Sequence, residues 1–256
     1  MTTALLLAAG QGRRLSPLTD ARPKCLVEVA GRPILAWQLD ALAEAGVREA
    51  VVVTGFGAEA VEAALAVMAP PLPVTCRHNP FFAVADNIGS CWLSRDLFHE
   101  DALLLNGDTL IDPRIAGRLL DEAPAPVTVT IDRKPAYDAD DMKVRLSGGL
   151  LARIGKDLAA PVDGESIGLI RFRGDGGPRF AAALERALRA PEALHRWYLS
   201  VIDGMAHHGD VGVLDIGGLP WAEIDYPADL SAAAGRLAAF RWSAGARRAT
   251  RRAAPS

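Results

Sequence analysis

Apolar runs alternate with stretches of helical periodicity along the first half of the chain. TALLLAA reads as a buried strand, PILAWQLDALAEAG as an amphipathic helix stopped by Gly46, and REAVVVTGF as a second buried strand. AEAVEAALAVMA then predicts a helix and LPVTCRHN a third strand. NIGSCWLSRDLF predicts a further helix with Asn87 placed to cap it, and DALLLNGD a strand that ends on a carboxylate. Strands separated by helices imply a largely parallel sheet covered on both faces, an α/β sandwich.

After about residue 126 the pattern changes. APVTVTID, MKVRLSGGLLARIGK and ESIGLIRFRG read as strands joined by glycine-containing turns, which adds mixed or antiparallel strands. PRFAAALERALRA and the stretch around HRWYLSVIDGMAHHG return to helix, VGVLDIGG is a short strand, and YPADLSAAAGRLAAF a last helix. Residues 1–240 are read as one domain. Residues 241–256, with five arginines and no apolar periodicity, are read as a flexible tail.

Composition narrows the picture. In 256 residues, 50% are hydrophobic and 23% charged, and the net charge is -3, which suits a globular chain and disfavours a general nucleic-acid binder. Any anion site is therefore local. The three cysteines, Cys25, Cys76 and Cys91, have neither disulfide-framework nor zinc spacing, and the five histidines show no metal-ligand spacing. No apolar run reaches the length of a membrane span, and Ala4 to Ala9 is shorter than the apolar core of an export signal, so a cytoplasmic location is expected.

The loop GQGRRLSPLTDARPK follows the first strand, where open parallel sheets place their ligands. Gly10 and Gly12 let backbone N–H groups approach an anion, and Arg13, Arg14, Arg22 and Lys24 bring positive charge to the same mouth. A polyphosphate is the guest this chemistry suits. A dinucleotide fingerprint would need glycine at Leu15 and an immediate helix, and a Walker loop would need GxxxxGK followed by Ser or Thr; the chain has neither.

The longer string LLLAAGQGRRLSPLTDARPKCLVEVAGRPIL resembles the signature of the nucleotidyltransferases that join a nucleoside triphosphate to a sugar phosphate or related phosphate. LLLNGDTLID, ARIGKDL, DGESIGLIRF and WAEIDYPADL resemble later segments of that family in the same order. The resemblance implies a Rossmann-like three-layer sandwich with a mostly parallel mixed sheet, of the nucleotide-diphospho-sugar transferase type. It also implies Mg²⁺ held by Asp108 and Asp225, a triphosphate on Arg14 and Lys24, and a nucleotide against Leu7, Ala8, Ala9, Gly10, Gly12 and Asp108. Asn87 or Ser90 is placed to read the base edge, although Asn87 serves equally as a helix cap. Lys156, and with it Lys143, is placed for an acceptor phosphate.

NPFFAVADNIGSCWLSRDLF, DDMKVRLSGGLLARIGKDL and PWAEIDYPADL are most similar to the phosphocholine cytidylyltransferase branch, which includes relatives acting on aminoethylphosphonate or inositol phosphate. That implies transfer of CMP from CTP to a small phosphate- or phosphonate-bearing head group, with release of pyrophosphate. Trp92, Tyr137, Trp197, Tyr198 and Trp221 are available to a trimethylammonium, with Glu165 as counter-charge; a primary ammonium would use carboxylates such as Glu165 or Asp141. Two alternatives remain: a sugar-1-phosphate nucleotidylyltransferase using UTP, GTP or dTTP, and a non-catalytic nucleotide-binding regulatory domain. Oligomeric state is not written in the sequence.

Overall fold

The structure, a computed structural model, describes residues 2–242. In chain order its elements are β1 (Thr3–Leu7), β2 (Glu28–Val29), β3 (Arg32–Pro33), α1 (Ile34–Glu44), β4 (Glu49–Thr54), α2 (Ala58–Met68), β5 (Val74–His78), α3 (Asn87–Leu93), β6 (Ala102–Asn106) and β7 (Thr109–Ile111). There follow α4 (Pro113–Glu122), β8 (Val127–Asp132), β9 (Lys143–Ser147), β10 (Leu150–Gly155), β11 (Gly164–Phe172), α5 (Gly176–Ala187), α6 (Leu199–Ala206), β12 (Val211–Asp215), β13 (Trp221–Glu223) and α7 (Pro227–Leu237). The arginine-rich tail expected after Arg241 lies, from residue 243 onward, outside the described residues.

β5, β4, β1 and β6 form a parallel block of the main sheet, in which β8 and β12 are a further parallel pair. β1, β4 and β6 read as apolar runs because both faces are covered, whereas β5, VTCRH at the edge, is only partly buried. Leu5 packs with Val51, Leu104 and Ile88 on one side, while Ala4 and Leu6 pack with Leu35, Leu39 and Ile115 of α1 and α4 on the other. Each of Leu5 and Leu6 is fully buried, worth about 1.5–3 kcal/mol apiece.

The expected Rossmann-like three-layer sandwich with a mostly parallel mixed sheet is corrected here. The full order is β5-β4-β1-β6-β11-β8-β12-β10-β9, with β9 also paired to β11, so the last five strands close into a small barrel. β11 makes the closure. Its end at Leu169 to Phe172 pairs with β6, whereas Gly164 and Glu165 pair with β9 on the edge that β6 has left. The strand changes partners where its register against β8 shifts, between Ser166 and Ile170, and Gly168 there has φ +76°, a conformation that side-chain-bearing residues rarely adopt. Among the strand pairings of this sheet, antiparallel ones outnumber parallel ones.

Two small ladders frame one end of the sheet. β2 pairs with β3, and β13 pairs antiparallel with β7 so that Glu223 lies opposite Thr109. Leu15, Val29, Trp37, Leu110, Ile224 and Leu237 form a separate apolar cluster that fixes these ladders to α1 and α7. Among the described residues no helix is long and apolar enough to cross a membrane.

Candidate active site

Beyond the carboxyl ends of β1 and β6 lies a cleft of about 330 Å³. Its lining includes Leu7, Ala8, Ala9, Gly10, Gly12, Arg14, Lys24, Asn87, Ser90 and Asp108, so every residue expected at the nucleotide reaches it. The basic loop is shaped by its own contacts. Thr19 donates to the Gly12 carbonyl at 2.8 Å, and the fully buried Leu15 pins the turn that carries Arg14. Gly12 has φ +75°, and a Cβ there would stand 2.8 Å from the stem of Lys24. The glycine thus lets the lysine run along the loop into the cleft.

Asp108 and Asp225 are brought together by the β7–β13 ladder. Asp108 precedes β7, Asp225 follows β13, and Ile224 N–H donates to the Asp108 carbonyl at 3.1 Å. Two further side chains hold the carboxylate turns. The buried Gln38 donates from Nε2 to the carbonyls of Asn106 and Thr109, at 2.7 and 2.9 Å, on either side of Asp108. Asp229, in the first turn of α7, accepts from the N–H groups of Asp225 and Tyr226 at 2.8 and 2.7 Å.

Lys24 Nζ lies 2.8 Å from Asp108 Oδ2 and 2.7 Å from Asp225 Oδ1, with the lysine side chain only 14% exposed. Arg14 Nη2 reaches Asp225 Oδ2 at 2.7 Å. Burial works against the charge on Lys24, but the two carboxylates more than offset it and raise its pKa. One cation thus bridges two carboxylates from distant parts of the chain. The donor set is oxygen only, which suits a hard divalent cation, and two carboxylates leave coordination positions for phosphate oxygens and water. Among the described residues there is no group of three or more His, Cys, Asp or Glu side chains placed to hold a metal ion.

The opposite end of the cleft is lined by Asn79, Asn87 and Ser90, with Asp86 beside them. Asn79, 1% exposed, donates from Nδ2 to Ser90 Oγ at 3.0 Å and accepts from Phe81 N–H at 2.8 Å. Asn87 is not the helix cap. Asp86 precedes α3 and Asn87 is its first residue, with Oδ1 accepting from Tyr198 N–H at 2.9 Å. That bond fixes the amide's orientation, leaving the Nδ2 group as its donor for a ligand.

The expected acceptor residues divide. Lys156 Nζ stands 3.3 Å from Asp140 and 4.7 Å from the ring centroid of Trp197, which lines the cleft. Lys143 lies beneath it, donating to the Lys156 carbonyl at 2.7 Å. Glu165 and Asp141 share the ammonium of Lys134, at 2.9 and 2.7 Å, and Trp221 donates its indole N–H to Asp132 at 2.8 Å. None of Lys156, Lys143, Glu165 and Trp221 is part of the cleft wall itself, which Lys156 meets through Trp197.

Burial pushes the Glu165 carboxyl up to about 7, against the pull of Lys134 and with the push of Asp141. The folded chain therefore binds a proton that the unfolded chain gives up, and Glu165's contribution to stability falls as pH rises from 4.5 to about 7. Glu165→Gln is expected to flatten that part of the curve of unfolding midpoint against pH. An unchanged slope would remove Glu165 as its source.

Sequence reasoning missed Asn79, Gln38, Asp140 and Tyr226. Tyr226 faces Arg14, whose guanidinium carbon lies 5.2 Å from its ring centroid, and its hydroxyl donates to Asp140 at 3.2 Å. Tyr226 and Asp229 stand within the WAEIDYPADL motif and were legible as neighbours of Asp225; Asn79 and Gln38 carried no signal beyond being polar in apolar surroundings.

Residues 4–139, just over half of the chain, match the MobA-like NTP transferase domain. The chain belongs to the MobA-like NTP transferase family. Within it, the chain is 34% identical over 248 residues to a CMP-5'-(3-aminopropyl)phosphonate synthase of Streptomyces rubellomurinus, a match that covers 94% of this chain and 38% of that relative's length. Two solved structures share the fold: a CTP:phosphocholine cytidylyltransferase from Streptococcus pneumoniae (TM-score 0.76, 20% identity, 92% of this chain and 99% of that one) and an inositol-1-phosphate CTP transferase from T. maritima (TM-score 0.78, 21% identity, 93% and 95%). This chain is a nucleotidyltransferase by family, and its cleft carries Arg14, Lys24 and Asp108 at one end and the amides of Asn79 and Asn87, with Asp86, at the other.

Proposed function

We propose that this NTP transferase is a cytidylyltransferase that moves CMP from CTP onto a small head group bearing a phosphate or phosphonate, releasing pyrophosphate. The observation that carries the reading is the convergence of Asp108, Asp225, Arg14 and Lys24 at one end of a cleft whose other end presents Asn79, Asn87 and Ser90. Similarity across 94% of the chain to a protein named for CMP-phosphonate synthesis supports the choice of nucleotide and of acceptor class.

The reaction brings two anions together. An oxygen of the acceptor attacks the α-phosphorus in line with the departing pyrophosphate, so the protein's work is charge neutralisation and positioning rather than covalent chemistry. Lys24 and Arg14 offset charge on the triphosphate as it moves from ground state to transition state. Asp108 and Asp225 would hold Mg²⁺, which when bound neutralises phosphate charge and fixes the triphosphate's orientation. Asn87 offers its Nδ2 donor to an acceptor on the pyrimidine edge, and a buried mismatch there costs about 1–3 kcal/mol. Lys156 supplies charge for the acceptor's phosphorus group.

The test is pyrophosphate release from each of CTP, UTP, GTP and dTTP with a panel of acceptors and Mg²⁺. The proposal expects release with CTP and a phosphate or phosphonate head group.

A further inference from the structure

Trp197 stands in the cleft wall with 42% of its surface exposed, beside the fully buried Tyr198. The backbone N–H of Tyr198 donates to Asn87 Oδ1 at 2.9 Å, and its phenol donates to Asn106 Oδ1 at 3.0 Å. These two anchors tie the neighbouring residue both to the base end of the cleft and to the strand end that carries Asp108. Held in this way, Trp197 turns its ring outward, and the ammonium of Lys156 lies 4.7 Å from the ring centroid. The same ammonium donates to Asp140 Oδ1 at 3.3 Å.

The sequence offered Trp197 as one ring of a cage for a trimethylammonium. Its face, however, is already engaged by a cation of the protein. Two other rings are engaged in the same way, Tyr226 by Arg14 at 5.2 Å and Tyr137 by Lys134 at 5.7 Å. A ring face attracts an ammonium through its quadrupole without taking its N–H donors as a carboxylate does. Apart from the donor given to Asp140, the N–H groups of Lys156 stay open to an incoming anion.

We infer that Trp197 is a positioning residue for the acceptor's phosphorus group: its ring holds Lys156 at the cleft, and it acts on the anionic end of the acceptor whatever the head group. The inference rests on the cytidylyltransferase reading and on Lys156 as the acceptor lysine. It separates Trp197 from head-group selection, which falls to other residues.

The experiment compares Trp197→Leu, which keeps apolar bulk and removes the quadrupole, with Trp197→Phe, which keeps a ring face. Acceptor KM and kcat are measured with aminoethylphosphonate, phosphocholine and inositol phosphate, CTP affinity by calorimetry, and folding by the unfolding midpoint. For every acceptor the wild type uses, Trp197→Leu is expected to raise KM by about the same three- to tenfold factor, with Trp197→Phe recovering part of it and CTP affinity and the midpoint unchanged. A rise confined to phosphocholine would mean a cage, and equal effects of Leu and Phe would mean bulk alone; either overturns the inference. So would a matching loss of CTP affinity.

Wild-type turnover tests the parent reading by itself. Should the wild type turn over no acceptor, titration with methylphosphonate still reads Trp197: weaker binding to Trp197→Leu than to wild type and Trp197→Phe supports the inference, and equal binding overturns it.

Discussion

Asp108→Ala lowers kcat by about 10²- to 10³-fold while CTP affinity falls far less, because the carboxylate's partner in turnover is charge that peaks in the transition state. The expectation follows from placement. Asp108 sits in a turn held by Gln38 on both sides, so the substitution removes a side chain without releasing the backbone around it. Asp225 remains against Lys24 and Arg14, so the triphosphate cations stay at the cleft. Calorimetric CTP binding beside steady-state turnover separates the two effects, and an unchanged kcat would take Asp108 out of the mechanism.

Lys24→Met is expected to cost about 10²-fold or more in kcat, since it withdraws the cation closest to both carboxylates and to the triphosphate end of the cleft. It has a second consequence that does not depend on turnover. Removing one partner of a shielded ion pair leaves the rest under-compensated: here Asp108 loses its cation and Asp225 keeps only Arg14. The variant's unfolding midpoint should therefore drop in chelator and recover with millimolar Mg²⁺, by about 2–4 °C for each kcal/mol for a chain of this size. A wild-type protein, with Lys24 already between the carboxylates, should gain less from the metal alone. A midpoint in the variant indifferent to Mg²⁺ would argue that Asp108 and Asp225 do not form a cation site.

The parts of the site that were legible in the sequence are those carried by contiguous strings. The loop from Gly10 to Lys24 announces itself by glycines and cations after a buried strand, and Asp108 by its place at a strand end. What joins Asp108 to Asp225 was not legible, because β7 and β13 are three residues each, too short to show any period, and their pairing is set by the apolar cluster around Leu15 and Ile224. The small barrel was hidden for a related reason. Alternation identifies strands but not partners, and β11 serves β6 along one part of its edge and β9 along the other only because it bends at Gly168. At α3 the sequence offered Asn87 as a cap. The structure uses its side chain instead to fix Tyr198, a contact across 111 positions that no local rule anticipates. Trp197 was visible as an aromatic near the site, but its role depends on Lys156 arriving from the end of β10.

The most direct test of the account is phosphorus-resolved product analysis of the wild-type protein with Mg²⁺, each of the four nucleoside triphosphates, and aminoethylphosphonate, phosphoethanolamine, phosphocholine, inositol phosphate and sugar 1-phosphates as acceptors. The account predicts pyrophosphate and a CMP-linked product from CTP with at least one of the non-sugar head groups, and slower transfer from UTP, GTP and dTTP. No transfer from CTP to any acceptor, or faster transfer of another nucleotide to a sugar 1-phosphate, would contradict it.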